Sequence, residues 1–413
     1  MVSVNVDIFV SEADEMSKAN MRRRDFELEK YNGFGTEISL LSDPTKVFAV
    51  EIPKKDYENP EVKSVMREEL EKWEKFDAYE WVDDVGQEII DTRRVVTKKE
   101  LHDGQKVDYK ARLFVRGFKE SNEPRSDSPT ASKETLTILT AIAANEGWEI
   151  ESIDITSAFL QGITIPRDVF VKPPEEIKHE GLLWRLKKGG YGLWDASRLC
   201  YLEVKKVLLQ LGCSVVSGDE AFFYYRKNGN LSGCVLTHVD DFYGGGDVDF
   251  KADIMDKIFE RFKCSKREHG SFRFTGVDIS KTDEGIKMTQ NHYVDSLEEV
   301  KIDDGINPKR DLNKEEFKKF RKATGKLSWL AETTRPDLSY NVLEMSYKNK
   351  DAKVEDIKQI NKVVRKAKNE KSEVNFKKVA KFDDLKVLVV TDGSYLKLED
   401  KTKSVGGRFI MLS

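Results

Sequence analysis

The chain has 413 residues, 39% hydrophobic and 35% charged, with a formal net charge of −4. Such a length exceeds one ordinary core and predicts two to four domains, and the composition excludes a disordered tail. The near-neutral balance points to no partner by itself, so nucleic-acid binding would have to come from local basic patches.

Cys200, Cys213, Cys234 and Cys264 are dispersed, without the spacing of a disulfide framework or a zinc site. Reduced thiols in an intracellular protein, cytoplasmic or nuclear and not secreted, are expected. Residues 1–14 lack the basic and apolar regions of a signal peptide. No apolar run reaches the roughly 18–20 residues that cross a bilayer.

In chain order, residues 1–74 are polar and acidic, read as a linker followed by a helix over 60–76 with Val65, Leu70 and Trp73 on its apolar face. Strands are predicted over 89–97 and 108–118, with a turn at His102-Asp103-Gly104. Lys110, Arg112 and Arg116 alternate on the second strand and so share a face. A helix over 132–148 is capped by Ser132, and a short strand over 150–154 ends on Asp154. A second helix over 196–211 stops at Gly212. Asn228-Gly229 predicts a hairpin between 221–226 and 231–239. A strand over 242–246 then puts Asp240-Asp241 at a tight turn. A helix follows over 251–262, then short strands beyond Gly270, helices near 315–332 and 354–369, and a strand–turn–strand over 385–413. Residues 348–378 carry 11 Lys/Arg against 5 Asp/Glu, which suits either a surface that tracks a nucleic-acid backbone or a solvated helix.

Asp154, Asp240 and Asp241 each stand at the end of an apolar strand, where a carboxylate is costly unless neutralised. A hard divalent cation is the simplest remedy. Two strands bringing three aspartates to one point could build a two-metal phosphoryl-transfer site. An Asp-Asp dipeptide alone is far more often a surface turn, and carboxylate–metal sites serve several chemistries.

The order of the motifs narrows the reading. The segment Asp108-Tyr-Lys-Ala-Arg-Leu-Phe-Val-Arg-Gly-Phe118 is followed by Ser128-Pro-Thr-Ala131 and Asp154-Ile-Thr-Ser-Ala-Phe-Leu-Gln-Gly162. Leu186-Lys-Lys-Gly-Gly-Tyr-Gly-Leu193, His238-Val-Asp-Asp-Phe242, Phe274-Thr-Gly-Val277 and Thr334-Arg-Pro-Asp-Leu-Ser-Tyr340 continue the series. From about residue 69 onward this resembles the copia-type retrotransposon Pol polyprotein, in its reverse transcriptase region with the start of RNase H.

The resemblance implies an α+β right-hand polymerase: residues 1–75 as linker and opening helix, 76–300 as fingers, palm and thumb, 301–383 as connection, and 384–413 as a truncated RNase H-like α/β start. It implies an RNA-directed DNA polymerase that uses Mg²⁺, with Mn²⁺ as substitute, on an RNA or DNA template-primer and deoxynucleoside triphosphates. Asp154, Asp240 and Asp241 would be catalytic, and with the Ile155 carbonyl would hold the metals. Lys110 and Arg112 would hold the triphosphate, and Phe159 would exclude a ribose 2′-hydroxyl. Phe274, Thr275 and Gly276 would form the primer grip. Asp392 would be a vestigial RNase H carboxylate, with RNase H activity not expected from this stretch alone. Other Pol-derived proteins would be its companions, with no membrane involved and no oligomeric state implied. A degenerate or co-opted fragment that only binds nucleic acid is the alternative.

Two positions depart from the family pattern. His238 stands where Tyr is commonest, and Asp195 where a Gln usually helps shape the nucleotide pocket.

Overall fold

The structure, a computed structural model, describes residues 7–9, 50–100, 107–303, 305–349, 351–394 and 405–412. Its centre is a six-stranded antiparallel sheet, in the order Cys264–His269, Glu149–Ile155, Asp241–Gly246, Asn230–His238, Asp219–Lys227 and Ser214–Val216. Alternating side chains divide its two faces. Ile150, Tyr243, Leu236 and Phe222 pack with Leu136, Leu139 and Ala143 of the helix Lys133–Glu146. Ile153, Phe242, Val235 and Phe223 pack with Val204 and Leu208 of the helix Ala196–Gln210, and with Phe250, Ile254 and Ile258. Glycines fit this second face to its cover: a Cβ on Gly233 or Gly246 would stand 2.1 or 2.2 Å from the Phe250 ring, so the ring lies directly on the backbone.

The predicted Ser132 cap is present, accepting from the Thr135 amide at 3.1 Å, while Gly147, at φ +69°, ends that helix before the expected residue 148. Gly212, at φ +91°, follows the second helix as expected. Asn228 and Gly229 both have positive φ in the hairpin turn. The helix expected over 251–262 instead begins at Val248, passes through a π segment at Lys251–Met255 and finishes as α over Asp256–Arg261. Asp247, which accepts from the Phe250 amide at 2.9 Å, starts it earlier than the apolar spacing suggested.

A second sheet runs Val50–Glu51, Ile89–Glu100, Phe170–Lys172, Leu182–Leu186 and Tyr79–Asp83, with Val107–Val115 paired to Ile89–Glu100 on its other side. The helix Pro60–Lys75 covers it with Val62, Met66, Leu70 and Trp73, while Val65 is only partly buried. Arg116 leaves the expected basic row, because the strand ends at Val115 and Arg116 caps the short turn Gly117–Lys119. The predicted His102–Gly104 turn lies outside the described residues.

Strands Ser271–Phe274, Val277–Thr282, Gly285–Thr289 and Val374–Lys377 form a third, antiparallel sheet that shares the core of the helix Lys133–Glu146. Between its last two strands lie the helices Asn291–Asp295, Lys314–Thr333, Ser339–Tyr347 and Val354–Asn369, around Tyr293, Leu297, Phe320, Leu330, Ile357 and Ile360. The expected boundary at 300/301 therefore cuts through one hydrophobic core, and residues 374–377 rejoin the third sheet. Arg335, 2% exposed, ties the bundle together: it donates to both Asp337 oxygens at 2.8 and 2.9 Å and to the Ala367 carbonyl at 3.1 Å. At the C-terminal end Val387–Ser394 pairs antiparallel with Val405–Leu412, close to the expected strands. Asp392 lies on the first of these, and its side chain is outside the described residues. Among the described residues no helix is long and apolar enough to cross a membrane.

Candidate active site

Strand register brings the three aspartates together. Asp241 is the direct cross-strand partner of Asp154, and His238 is the partner of Asp241 on its other side. Directly opposed residues share a face, with Cβ atoms roughly 5 Å apart. Asp240 occupies the two-residue turn Val239-Asp240, where Val239 takes φ +59°. A β-branched residue rarely adopts that conformation, and such strain clusters at functional sites. The Ile155 amide donates to the Asp240 carbonyl at 2.8 Å, which fixes the turn against the end of the neighbouring strand. The Ile155 side chain itself packs into the core on the other face of the sheet.

The electrostatics are those of acids gathered together with only partial compensation. Burial pushes the Asp241 carboxyl up to about 7, and the negative charges of Asp240 and Asp154 add to this. Burial likewise raises Asp240, as does Asp154, while its own backbone amide and the positive charges of Lys110 and Arg112 pull it back. Among the described residues none of the three is in an ion pair. One Asp154 oxygen is taken by the Ser265 hydroxyl, a contact without a signal in the local pattern, because the strand Cys264–His269 lies beyond the reach of spacing rules.

Two basic side chains stand within electrostatic reach of these acids. Ala111, Leu113 and Val115 point inward, so Lys110 and Arg112 face the other way, near enough to Asp240 to bias its ionisation. The Arg112 Nε is buried and has no hydrogen-bond partner. Phe159, on the short turn Ala158–Gln161, is half-buried and meets the edge of Tyr191, with ring centroids 5.0 Å apart.

Phe274, Thr275 and Gly276 divide their roles. Phe274 is 1% exposed and packs in the core against Tyr243, whereas Thr275 (φ +48°) and Gly276 (φ +79°) make the turn of that hairpin. His238 packs edge-on to Phe274 at 6.4 Å, linking the aspartate turn to this hairpin. Burial lowers its pKa, which keeps the ring neutral, and its Nδ1 has no partner. Asp195 is buried in an ion cluster: Arg167 donates to Asp195 at 2.5 Å and to Glu120 at 2.5 Å. It thus anchors the start of the helix Ala196–Gln210, a role visible only once Arg167 is placed.

Hard carboxylate oxygens in a partly desolvated, mutually repelling set suit Mg²⁺ or Mn²⁺. Among the described residues no three His, Cys, Asp or Glu side chains converge on one point as they stand, consistent with Asp154 being turned to Ser265. In chemistry the donor set fits a divalent cation.

A family profile described as reverse transcriptase (RNA-dependent DNA polymerase) matches residues 76–309, more than half of the chain. The chain is 29% identical over 280 residues to the retrovirus-related Pol polyprotein from transposon RE1 of Arabidopsis thaliana, covering 62% of this chain and 19% of that protein. It is 24% identical over 336 residues to the corresponding polyprotein from transposon TNT 1-94 of Nicotiana tabacum, covering 74% and 25%. The chain thus spans about a fifth to a quarter of the length of these relatives. Among solved structures it resembles the foamy viral protease-reverse transcriptase dRH in complex with double-stranded DNA (TM-score 0.51, 15% identity), covering 93% of this chain and 62% of that one. A second foamy viral protease-reverse transcriptase structure with double-stranded DNA matches at TM-score 0.50 and 15% identity, covering 97% and 78%.

Proposed function

The chain belongs to the reverse transcriptase (RNA-dependent DNA polymerase) family, and on that premise we propose that it extends a primer 3′-hydroxyl with deoxynucleotides on an RNA or DNA template, as the polymerase segment of a copia-type Pol protein. The observation that carries this reading is the meeting of Asp154, Asp240 and Asp241 at one end of the central sheet, within electrostatic reach of Lys110 and Arg112.

The palm is the central sheet, and the fingers are the second sheet with the helix Pro60–Lys75. Asp154, Asp240, Asp241 and the Ile155 carbonyl hold Mg²⁺, or Mn²⁺ in its place. A bound divalent cation supplies charge stabilisation for the attacking and leaving oxygens. Arg112 offers its free Nε and a planar fork to phosphate oxygens, with Lys110 beside it as a point charge. Phe159 excludes a 2′-hydroxyl by bulk. The Thr275-Gly276 turn sets the primer end, where a small misplacement is costly. The same reading puts the protein inside the cell, in a cytoplasmic particle or the nucleus, beside other Pol-derived proteins.

The test is primer extension on poly(rA)/oligo(dT) with dTTP, in Mg²⁺ and then Mn²⁺, beside Asp240→Asn. Incorporation that disappears in the variant is expected. A folded chain that binds the duplex and incorporates nothing would leave nucleic-acid binding as its only activity.

A further inference from the structure

The segment Leu186-Lys-Lys-Gly-Gly-Tyr-Gly-Leu193 contains a residue with no part in the reading above. The ring of Tyr191 stands where three other side chains meet. Phe159 approaches it at 5.0 Å and 71°, Phe114 at 5.7 Å and 46°, and the Arg112 guanidinium carbon lies 5.5 Å from its centroid. Ring–ring and cation–π contacts of this kind have preferred geometries, so each neighbour is oriented by the shared ring.

The backbone holds that ring in place. The Tyr191 carbonyl accepts from the Val115 amide at 2.7 Å, and Phe114 and Tyr191 form a parallel bridge. Gly192 takes φ +91°, and a Cβ there would stand 2.1 Å from the Val115 oxygen. Only glycine permits this approach. The loop is locked to the strand Val107–Val115, which carries Arg112, while its ring reaches across to the turn that carries Phe159. Burial also pushes the phenol above its ordinary pKa, which keeps the hydroxyl neutral beside Arg112.

We propose that Tyr191 is a positioning residue for the incoming nucleotide, whose ring sets Phe159 against the sugar and Arg112 against the triphosphate at once. This rests on the polymerase reading. It makes sugar discrimination and phosphate grip two outputs of one side chain. A residue that merely filled space would alter stability or turnover equally for both sugars.

The experiment compares the parent chain with Tyr191→Leu, which keeps apolar bulk without a ring, and Tyr191→Phe, which keeps the ring without the hydroxyl. For each, kcat and KM are measured for dTTP and UTP on the same template-primer, with a melting curve as the control for folding. The leucine protein should lose selectivity for dTTP over UTP by about tenfold or more, with a raised KM for dTTP. The phenylalanine protein, which keeps the ring, should hold both its selectivity and its KM for dTTP within about twofold of the parent. A folded leucine protein with parental selectivity overturns the proposal. Should that variant fail to fold, Tyr191→Met, again without a ring, decides, and parental selectivity in it overturns the proposal. A parent chain that neither incorporates nor binds dTTP on template-primer overturns the polymerase reading and this inference together. A competent parent beside an indifferent Tyr191 overturns only the inference.

Discussion

At the end of the central sheet, three aspartates stand beside one another without an ion-pair partner among the described residues; Asp154 and Asp241 are half-buried and Asp240 is exposed, and desolvation with mutual repulsion raises Asp240 and Asp241. In the helical bundle Arg335 is withdrawn even further, yet it meets both oxygens of Asp337 and a helix-terminal carbonyl. Burial acts to raise Asp337 as well, but there the bond and charge of Arg335, with Lys366, prevail and hold its carboxyl below the usual range. Both Asp240 and Asp337 reach the surface, so what separates the two places is the charge each acid meets: carboxylates in one, a guanidinium in the other. An acid crowded by other acids costs stability unless a cation completes it. A compensated one acts as a fastener.

The comparison breaks most visibly in activity. Asp240→Asn should reduce primer extension by at least about a thousandfold, while its melting temperature at pH 8 stays level or rises, because one of the repelling charges is gone. A fall in both would place the aspartates among the fasteners. Arg335→Ala should do the reverse: a loss of about 3 kcal/mol in urea denaturation, with primer extension by the folded fraction unchanged. The third expectation concerns pH. Asp337 has a depressed folded-state pKa, so the stability it lends is complete above the ordinary carboxylate value near 3.8 and is lost as pH falls through its lowered value. Acid melting curves should show this loss in the parent and a flatter profile in Asp337→Asn. The smallest effect is metal-linked: at about ten times its dissociation constant, Mg²⁺ should stabilise the parent by roughly 1.4 kcal/mol and Asp240→Asn by much less. Equal shifts in both would remove the metal from the aspartate site.

Much of this was legible in the sequence, because period-two patterning and local turn chemistry are short-range properties. The Asn228-Gly229 hairpin, the Ser132 cap and the placing of Asp240-Asp241 at a turn all depend on neighbours within a few residues. Strands Tyr79–Asp83, Phe170–Lys172, Leu182–Leu186 and Cys264–His269 were not foreseen. They are short, and their partners are distant; Phe170 to Lys172, for instance, pair in parallel with Ile89 to Asp91. Tyr79 and Trp184 stack at 3.8 Å, a contact no spacing rule announces. At the site, the acids closing apolar strands were visible as candidates, and the order of motifs resembling the family gave them a proposed role. Ser265, Arg167 and Tyr191 could not be named in advance, because each acts through a residue far along the chain.

The third sheet has a mechanical consequence. Its adjacent strands Gly285–Thr289 and Val374–Lys377 are joined by the whole helical bundle, which therefore leaves and returns through neighbouring positions. Gln290, fully buried at the outgoing crossing, is held by the Thr334 hydroxyl at 2.7 Å. A body tethered by two closely spaced strands cannot drift away, but it can tilt about the line joining them. Any such tilt would confine its strain to the residues next to the two crossings. Hydrogen exchange that quickened at 289–291 and 370–374 while the bundle interior stayed protected would be the sign of that motion.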